Sequence, residues 1–142
     1  MTETVRTSAA ENQLPVATYT INRSDLIRYA GASGDFNPIH WSDRIAHAAG
    51  LAGVIAHGML LMALAARAVT GWAGSDGTVE SLDTRFTRPA LVPDDDDGLL
   101  VCVEGAITET LPDDRYRITT TVSTSQGVIV ARCAAIVWKQ TA

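Results

Sequence analysis

The chain has 142 residues, a formal net charge of -5 and a hydrophobic content of 46%. That length suits one domain with one core, and the scattered Lys and Arg residues of a weakly acidic chain argue against nucleic-acid binding. The first 12 residues are polar, and no apolar run reaches the roughly 18 residues of a membrane span. We therefore expect a cytoplasmic protein with a disordered N-terminus over residues 1–12 and a single domain over residues 13–142.

The cysteines and histidines do not form a recognisable metal motif. Cys102 and Cys133 lie in apolar, strand-like stretches without CxxC spacing, which favours buried free thiols. His40, His47 and His57 lack the spacing of a zinc site, so we expect no metal. Because there is also no Gly-rich phosphate loop and no dinucleotide fingerprint, the sequence predicts a protein without a cofactor.

The first elements that the pattern predicts are a strand and a helix. Residues 16–21 are β-branched and aromatic, as is typical of a strand. Asn22 or Ser24 can cap the helix that follows, and Gly34 can end it. This places Asp35 just beyond a helix C-terminus, at the start of an irregular loop.

Two further helices are predicted before the chain changes character. Ser42 is a suitable N-cap for a short helix through Ala49. Residues 56 to about 72 form the longest helix candidate, apolar nearly all round, with Arg67 as its one charge. Such a helix must be buried on most sides, and at about 1.5 Å per residue it is long enough to cross a small domain.

The second half of the chain alternates between apolar and polar residues, which predicts strands separated by turns. The predicted strands span residues 78–87, 99–110, 115–124 and 128–139. Short connections join the last three, so we expect them to form an antiparallel meander. Helices followed by strands around one core indicate the α+β class.

The loop after Gly34 holds the strongest candidates for chemistry, Asp35 and His40. Pro38 prevents a continuous helix between them, and a tight loop can turn both side chains toward one point. A carboxyl and an imidazole that reach one substrate or water can perform acid–base catalysis. The same residues are also good turn formers, because Asp and Asn in turns often bond their own backbone.

Two motifs resemble those of a known family. Residues 29–40 read YAGASGDFNPIH and residues 56–60 read AHGML. In order and spacing they resemble the MaoC-like (R)-specific enoyl hydratase family, and the resemblance runs from about residue 12 to the end. It is closest to the actinobacterial B-type subunit of the (3R)-hydroxyacyl-ACP dehydratase. The resemblance implies a hot-dog fold, in which an antiparallel sheet wraps a long central helix.

The resemblance also implies roles for individual residues. Asp35 and His40 would be the catalytic pair that adds water to an enoyl thioester, or removes it from a 3-hydroxyacyl thioester. The backbone N–H of Gly58 would form the oxyanion hole for the thioester carbonyl. Asn37, which can brace the loop, and His57, at the helix N-terminus, would be supporting residues.

The expected partners follow from the same resemblance. The acyl group would be carried by CoA or by an acyl carrier protein, and the chain would form a homodimer or a heterodimer with a second hot-dog subunit. Met59, Met62 and Trp41 are candidates for lining an acyl pocket, although methionines on an apolar helix are first of all core residues. Four arginines could receive an acidic carrier: Arg85, Arg88, Arg115 and Arg117.

Two other functions remain open at this point. One is a hot-dog acyl-CoA thioesterase, which would place a carboxylate on or beside the long helix, where residues 59–68 contain none. The other is a non-catalytic acyl-binding partner subunit, which would have no need for both Asp35 and His40. The sequence does not give the acyl chain length, the carrier, the direction of the reaction or the order of proton transfer.

Overall fold

An antiparallel sheet of six strands curves around one long helix. The computed structural model describes residues 3–6 and 12–140. The strands are β1 (Glu3–Arg6), β2 (Val16–Ile21), β3 (Gly77–Phe86), β4 (Leu99–Leu111), β5 (Arg115–Thr124) and β6 (Ile129–Lys139). The helices are α1 (Arg23–Ser33), α2 (Asp43–Ala48) and α3 (Gly58–Ala73), and a 3-10 turn covers Pro38–His40. The strand order across the sheet is β1-β2-β4-β5-β6-β3.

The long helix α3 lies in the concave face of the sheet and contacts β2, β3, β4, β5 and β6. Its buried residues include Leu60, Leu61, Leu64, Ala65 and Val69. Each large apolar side chain buried in this way contributes about 1.5–3 kcal/mol, and the alanines allow the strands to approach closely. A helix without a polar face therefore becomes the core around which the sheet wraps, and the predicted hot-dog fold is confirmed.

The helix boundaries follow the capping residues that the sequence predicted. Asn22 precedes α1, and its backbone N–H donates a hydrogen bond of 2.8 Å to the Asp25 carboxylate. Gly34 ends α1 with φ 77°, a left-handed conformation that favours glycine. The Ser42 hydroxyl accepts a bond from the N–H of Ile45 at the start of α2. The loop of interest therefore begins at Gly34, as expected.

The N-terminal segment differs in part from the expectation. Residues 1–12 were expected to be disordered, but Glu3–Arg6 form a strand that pairs antiparallel with β2. Without this pairing, β2 would be an edge strand whose unpaired N–H and C=O groups can form hydrogen bonds with another extended segment. Residues 1–2 and 7–11 lie outside the described residues.

The remaining expectations concern the cysteines and the membrane. Cys133 is a buried free thiol and receives a hydrogen bond from the Thr84 hydroxyl at 3.3 Å. Cys102 also forms no disulfide within the described residues, but it is half-buried rather than buried. Within residues 3–6 and 12–140, none of the helices has the length and apolar character needed to cross a membrane.

Candidate active site

The loop after α1 is built from two successive side-chain turns. The Asp35 Oδ1 atom accepts a bond from the Asn37 N–H at 3.2 Å, and the Asn37 Oδ1 atom accepts one from the Ile39 N–H at 3.3 Å. Pro38, which has no N–H to lose, opens the 3-10 turn that ends at His40. The local turn chemistry expected of Asp and Asn is thus present, and it leaves the Asp35 Oδ2 atom turned toward His40.

His40 is buried and held in one orientation. Its Nδ1 atom lies 2.8 Å from the carbonyl oxygen of Ile55. A carbonyl oxygen can only accept a hydrogen bond, so Nδ1 carries the proton and Nε2 of the neutral ring keeps a free lone pair. The Nε2 atom is 3.9 Å from the Asp35 Oδ2 atom. This separation exceeds a direct hydrogen bond, and it leaves both atoms available to a third group placed between them.

His57 lies behind this pair and is fully enclosed, with 0% of its surface exposed. Its ring stacks on the His40 ring at 3.8 Å between centroids and 22° between planes. Its Nε2 atom is 3.1 Å from the carbonyl oxygen of Asp35. Burial lowers the pKa of His57, and the nearby His40 lowers it further, although the bond to the Asp35 carbonyl acts in the opposite direction. His57 is therefore a neutral donor near pH 7.

A cleft of about 370 Å³ opens beside His40. Its lining includes Ile55, Gly58, Leu61, Phe86 and Arg88. Gly58 is the first residue of α3, and the first N–H groups of a helix have no acceptor within the helix. No hydrogen bond in the described part of the chain uses the Gly58 N–H. The cleft therefore brings together an imidazole lone pair and an unpaired donor at the positive end of the α3 dipole.

Gly58 also has a packing role. A Cβ atom placed on it would lie 3.1–3.3 Å from three atoms of the Phe86 ring. This is tighter than an ordinary van der Waals contact, so Phe86 would have to move. Glycine here keeps the Phe86 ring close and leaves room for a ligand at the helix N-terminus, and both roles are consistent with the geometry.

The segment that carries Ile55 is fixed by an ion pair that the sequence reasoning did not identify. The guanidinium of Arg23 bonds both oxygens of Asp43 at 3.1 Å, and its Nε atom bonds the Val92 carbonyl at 2.7 Å. Asp43 also accepts the Val54 N–H at 3.0 Å. The bond from Arg23 is the main reason that the pKa of Asp43 lies below its usual range. No local sequence signal marks this contact, because its members are far apart along the chain.

The predicted pocket residues do not line the cleft. Met59 has 57% of its surface exposed and is not a core residue. Met62 is half-buried. Trp41 is 49% exposed, and its indole N–H bonds the Phe36 carbonyl at 3.0 Å. An acyl-lining role for Met59, Met62 or Trp41 stays a prediction. The apolar residues that line the cleft include Ile55, Leu61 and Phe86.

The three clustered residues Asp35, His40 and His57 have potential ligand atoms within 4.8 Å of one another. The two imidazoles are stacked, however, and the lone pair of each nitrogen lies in its own ring plane. Two nearly parallel planes do not converge on one ion at normal zinc–nitrogen distances. Two stacked imidazoles that each bond a backbone carbonyl fit a hydrogen-bonded scaffold better than a metal centre. His47 is exposed and bonds the Ala52 carbonyl, away from this cluster.

Comparisons with known proteins agree with the fold and the motifs. Residues 5–128 match the family model described as a MaoC like domain. The R-hydratase PhaJ1 from Pseudomonas aeruginosa, in its unliganded form, is 28% identical with a TM-score of 0.77, covering 99% of this chain and 90% of that one. No curated protein is similar enough in sequence to be matched.

Two other solved structures extend the comparison. A MaoC-like dehydratase is 36% identical with a TM-score of 0.83, over 92% of this chain but only 40% of that chain. The ChsH1-ChsH2 complex from Mycobacterium tuberculosis contains a chain that is 19% identical, with a TM-score of 0.79 and coverage of 94% and 100%, which is a likeness of fold.

The fold and these matches define a hot-dog protein of the hydratase and dehydratase class. Within that class, the chain belongs to the MaoC-like dehydratase domain family.

Proposed function

We propose that this protein is an (R)-specific enoyl-thioester hydratase, which in the reverse direction is a (3R)-hydroxyacyl-thioester dehydratase. The observation that carries the proposal is the placement of Asp35 Oδ2 and His40 Nε2, 3.9 Å apart, beside the cleft at the N-terminus of α3. A water oxygen about 2.8 Å from each of these atoms fits between them. Within the family, we propose that this chain corresponds to the actinobacterial B-type subunit of the (3R)-hydroxyacyl-ACP dehydratase.

The two residues divide the proton transfers. As the water oxygen bonds to C3 of the enoyl group, the water proton passes to Nε2 of His40, the nitrogen whose lone pair is free. C2 receives a proton from the Asp35 carboxyl group, and the C2–C3 double bond becomes single. Transfer of the proton from His40 back to Asp35 restores the starting state, so the charges balance over one turnover.

The thioester carbonyl gains negative charge while C2 is an enolate, and it needs a donor directed at it. The unpaired Gly58 N–H at the first turn of α3 can provide this donor, and the helix dipole adds to its effect. Gly58 lines the cleft, so a carbonyl bound there can approach its backbone N–H. Asn37 supports the site indirectly, because its three hydrogen bonds, with Asp35, Ile39 and His40, fix the turn between Asp35 and His40.

The carrier is proposed to be CoA or an acyl carrier protein. Arg88 is the arginine that lines the cleft, so it is the one of the four candidates best placed for an anionic carrier. Arg115 and Arg117 instead pair with Glu80 and Glu109 at 3.0 and 2.8 Å. Because a glutamate already pairs with each of these two arginines, they are less suited to bind an anionic carrier.

A second hot-dog subunit is proposed to complete the pocket. Large apolar side chains next to the site residues are exposed, namely Phe36, Trp41, Met59 and Phe86. Exposed apolar groups that cluster at one place mark an interaction surface. The partner can be a second copy of this chain or a different hot-dog subunit, and in the second case this chain, which has both Asp35 and His40, would be the catalytic member of a cytoplasmic enzyme.

The thioesterase alternative finds less support. That reading needs a carboxylate on or beside α3, and the helix Gly58–Ala73 contains no Asp or Glu. The reading as a non-catalytic subunit does not account for a His40 whose tautomer is fixed with its free lone pair toward a carboxylate.

Hydration of crotonyl-CoA by the purified chain tests the proposal, followed at the enoyl absorbance with chiral analysis of the product. We expect the (R)-3-hydroxy thioester. If the chain alone is inactive, the assay is repeated with a long-chain enoyl thioester and with a co-expressed second hot-dog subunit. An (S) product, or no hydration in any of these assays, would contradict the proposal.

A further inference from the structure

His57 has a set of contacts that ordinary packing does not require. It occupies the N-cap position of α3, yet within the described residues its side chain makes no capping hydrogen bond to the first turn of the helix. Instead, the Nε2 atom reaches the Asp35 carbonyl oxygen at 3.1 Å. Since a carbonyl only accepts, this nitrogen carries the proton, and the neutral ring has its lone pair on Nδ1.

The same ring contacts the other proposed catalytic residue. One edge of His40 is fixed by the Ile55 carbonyl, and one face is covered by His57 at 3.8 Å. Thus one side chain holds the backbone of Asp35 through a hydrogen bond and the ring of His40 through a stack. Through these two contacts, His57 sets the distance between the carboxylate and the imidazole.

The charge of His57 matters for this arrangement. His40 must gain a proton when it accepts it from water, and a positive charge on the adjacent ring would oppose that step. The groups that face His57 are Tyr29 from α1 and Asp35 and His40 from the loop. Its Nδ1 atom is buried and has no hydrogen-bond partner in the described part of the chain. A second proton there would gain no partner, so the surroundings favour the neutral ring.

We propose that His57 is a positioning residue for the acid–base pair, a neutral donor that holds Asp35 and His40 in register without adding charge beside the base. This inference rests on the proposed hydratase function. It predicts that loss of the Nε2 donor lowers the rate of the chemical step more than the binding of substrate, because a displacement of about 1 Å can cost about 100-fold in rate.

Three variants test the donor. His57→Gln keeps a neutral N–H that reaches the Nε2 position, His57→Met keeps the approximate volume without a donor, and His47→Gln makes the same change at an exposed histidine. We expect His57→Met to lose about 10- to 100-fold in kcat with KM changed less than about 3-fold. His57→Gln should recover most of the rate, and His47→Gln should match the wild type.

A measurement on the wild-type protein covers the case in which the His57 variants do not fold. In ¹⁵N-labelled protein at pH 7, the histidine ring nitrogens report tautomer and charge. The His47→Gln variant identifies the His47 signals, and the pattern of ring contacts distinguishes His40 from His57. We expect His57 to be neutral with its proton on Nε2. An imidazolium or an Nδ1–H tautomer would overturn the proposal.

The kinetic outcomes are equally decisive. A folded His57→Met variant with kcat within 2-fold of the wild type would refute the positioning role, as would a folded His57→Gln variant no faster than His57→Met. If the wild-type protein hydrates no enoyl thioester, the proposed hydratase function is refuted, and with it the positioning role of His57. The wild-type rate therefore separates the two failures.

Discussion

The two ends of α3 differ in how their backbone groups are satisfied. At the C-terminal end, the Lys139 ammonium donates to the Trp72 carbonyl at 2.9 Å and lies 4.7 Å from the centre of the Trp72 ring. The Tyr116 ring packs edge-on against Trp72, and the N–H of Gly74 bonds the Thr70 carbonyl at 3.0 Å. A cation near the last carbonyls also complements the helix dipole.

At the N-terminal end, the equivalent groups are left open. The His57 side chain bonds the Asp35 carbonyl instead of the helix, and Gly58, whose N–H makes no hydrogen bond within the described residues, lines a cleft. An unpaired N–H in a protein costs stability unless water or a ligand satisfies it. One end of the same helix therefore contributes stability, whereas the other end leaves a donor free, which we propose binds the substrate carbonyl. Substitutions at the two ends should therefore affect different measurements.

The largest effect is expected at the acid–base pair. Asp35→Asn and His40→Ala should each lower the turnover of enoyl-thioester hydration by at least about 100-fold, within the range of acid–base groups. Circular dichroism should show that both variants fold. The unfolding midpoint should stay close to that of the wild type for Asp35→Asn, since Asp35 is exposed, and should fall for His40→Ala, which removes a buried ring with its hydrogen bond and stack. Near-normal turnover in both folded variants would refute the assignment of Asp35 and His40 as the acid–base pair.

The next effect tests the open end of the helix. Gly58→Ala should lower kcat by about 10- to 100-fold, because its Cβ would crowd the carbonyl site and press on Phe86. Gly71→Ala is the matched control in the same helix, where a Cβ would meet nothing within 4 Å. There we expect unchanged turnover and a gain of about 0.5–1 kcal/mol in stability.

A second substitution at Phe86 distinguishes a packing role of Gly58 from a catalytic one. The double variant Gly58→Ala/Phe86→Leu relieves the contact with the ring. If it regains both stability and turnover, then Gly58 is needed only for packing. Our account predicts that it regains stability while turnover stays low.

A smaller effect concerns the dependence of stability on pH. Burial lowers the pKa of His57 in the folded protein below the usual histidine value of 6.5. As pH falls below about 6.5, the unfolded chain takes up a proton that folded His57 resists, so the free energy of unfolding falls, by at most about 1.4 kcal/mol per pH unit. Above pH 6.5 this contribution is constant, and it stops changing below the folded pKa.

Urea unfolding of the wild type and His57→Gln at pH 7.5 and 5.5 measures this difference. The stability of the wild type relative to His57→Gln should decrease at the lower pH. A difference between the two proteins that is equal at both pH values would show that folded His57 is not held neutral.

The smallest effect belongs to the closed end of the helix. Lys139→Met should lower the free energy of unfolding by about 1 kcal/mol, through the lost bond to the Trp72 carbonyl and the lost cation at the helix C-terminus. Turnover should stay within about 2-fold of the wild type. A variant with normal stability and reduced turnover would reverse the roles that we assign to the two ends.

How far the sequence predicts a structural element depends on whether its interactions are local or join distant parts of the chain. The strand Arg115–Thr124 was predicted to the residue, because alternation along one strand is local. The helix α3 was expected to start at residue 56, but Ala56 donates its N–H to the Ala90 carbonyl at 2.8 Å and is tied to another segment. The helix therefore begins at Gly58.

The candidate site shows the same division. The motif and the turn residues placed Asp35 and His40 together, and the structure brings them within 3.9 Å. The anchoring of His40 by Ile55 and its stack on His57 could not be predicted, because both contacts join segments whose approach is set by tertiary packing. The position of β3 beside β6, at the edge of the sheet, is a long-range feature of the same kind.

In the proposed mechanism, Asp35 and His40 act as one unit on the same substrate. The most direct test is kcat/KM for Asp35→Asn, His40→Ala and the double variant, measured with the active assembly and one enoyl thioester. Residues that act together give non-additive losses, so the double variant should be about as slow as the slower single variant. Losses that multiply in the double variant would show that the two residues act independently, which contradicts the account.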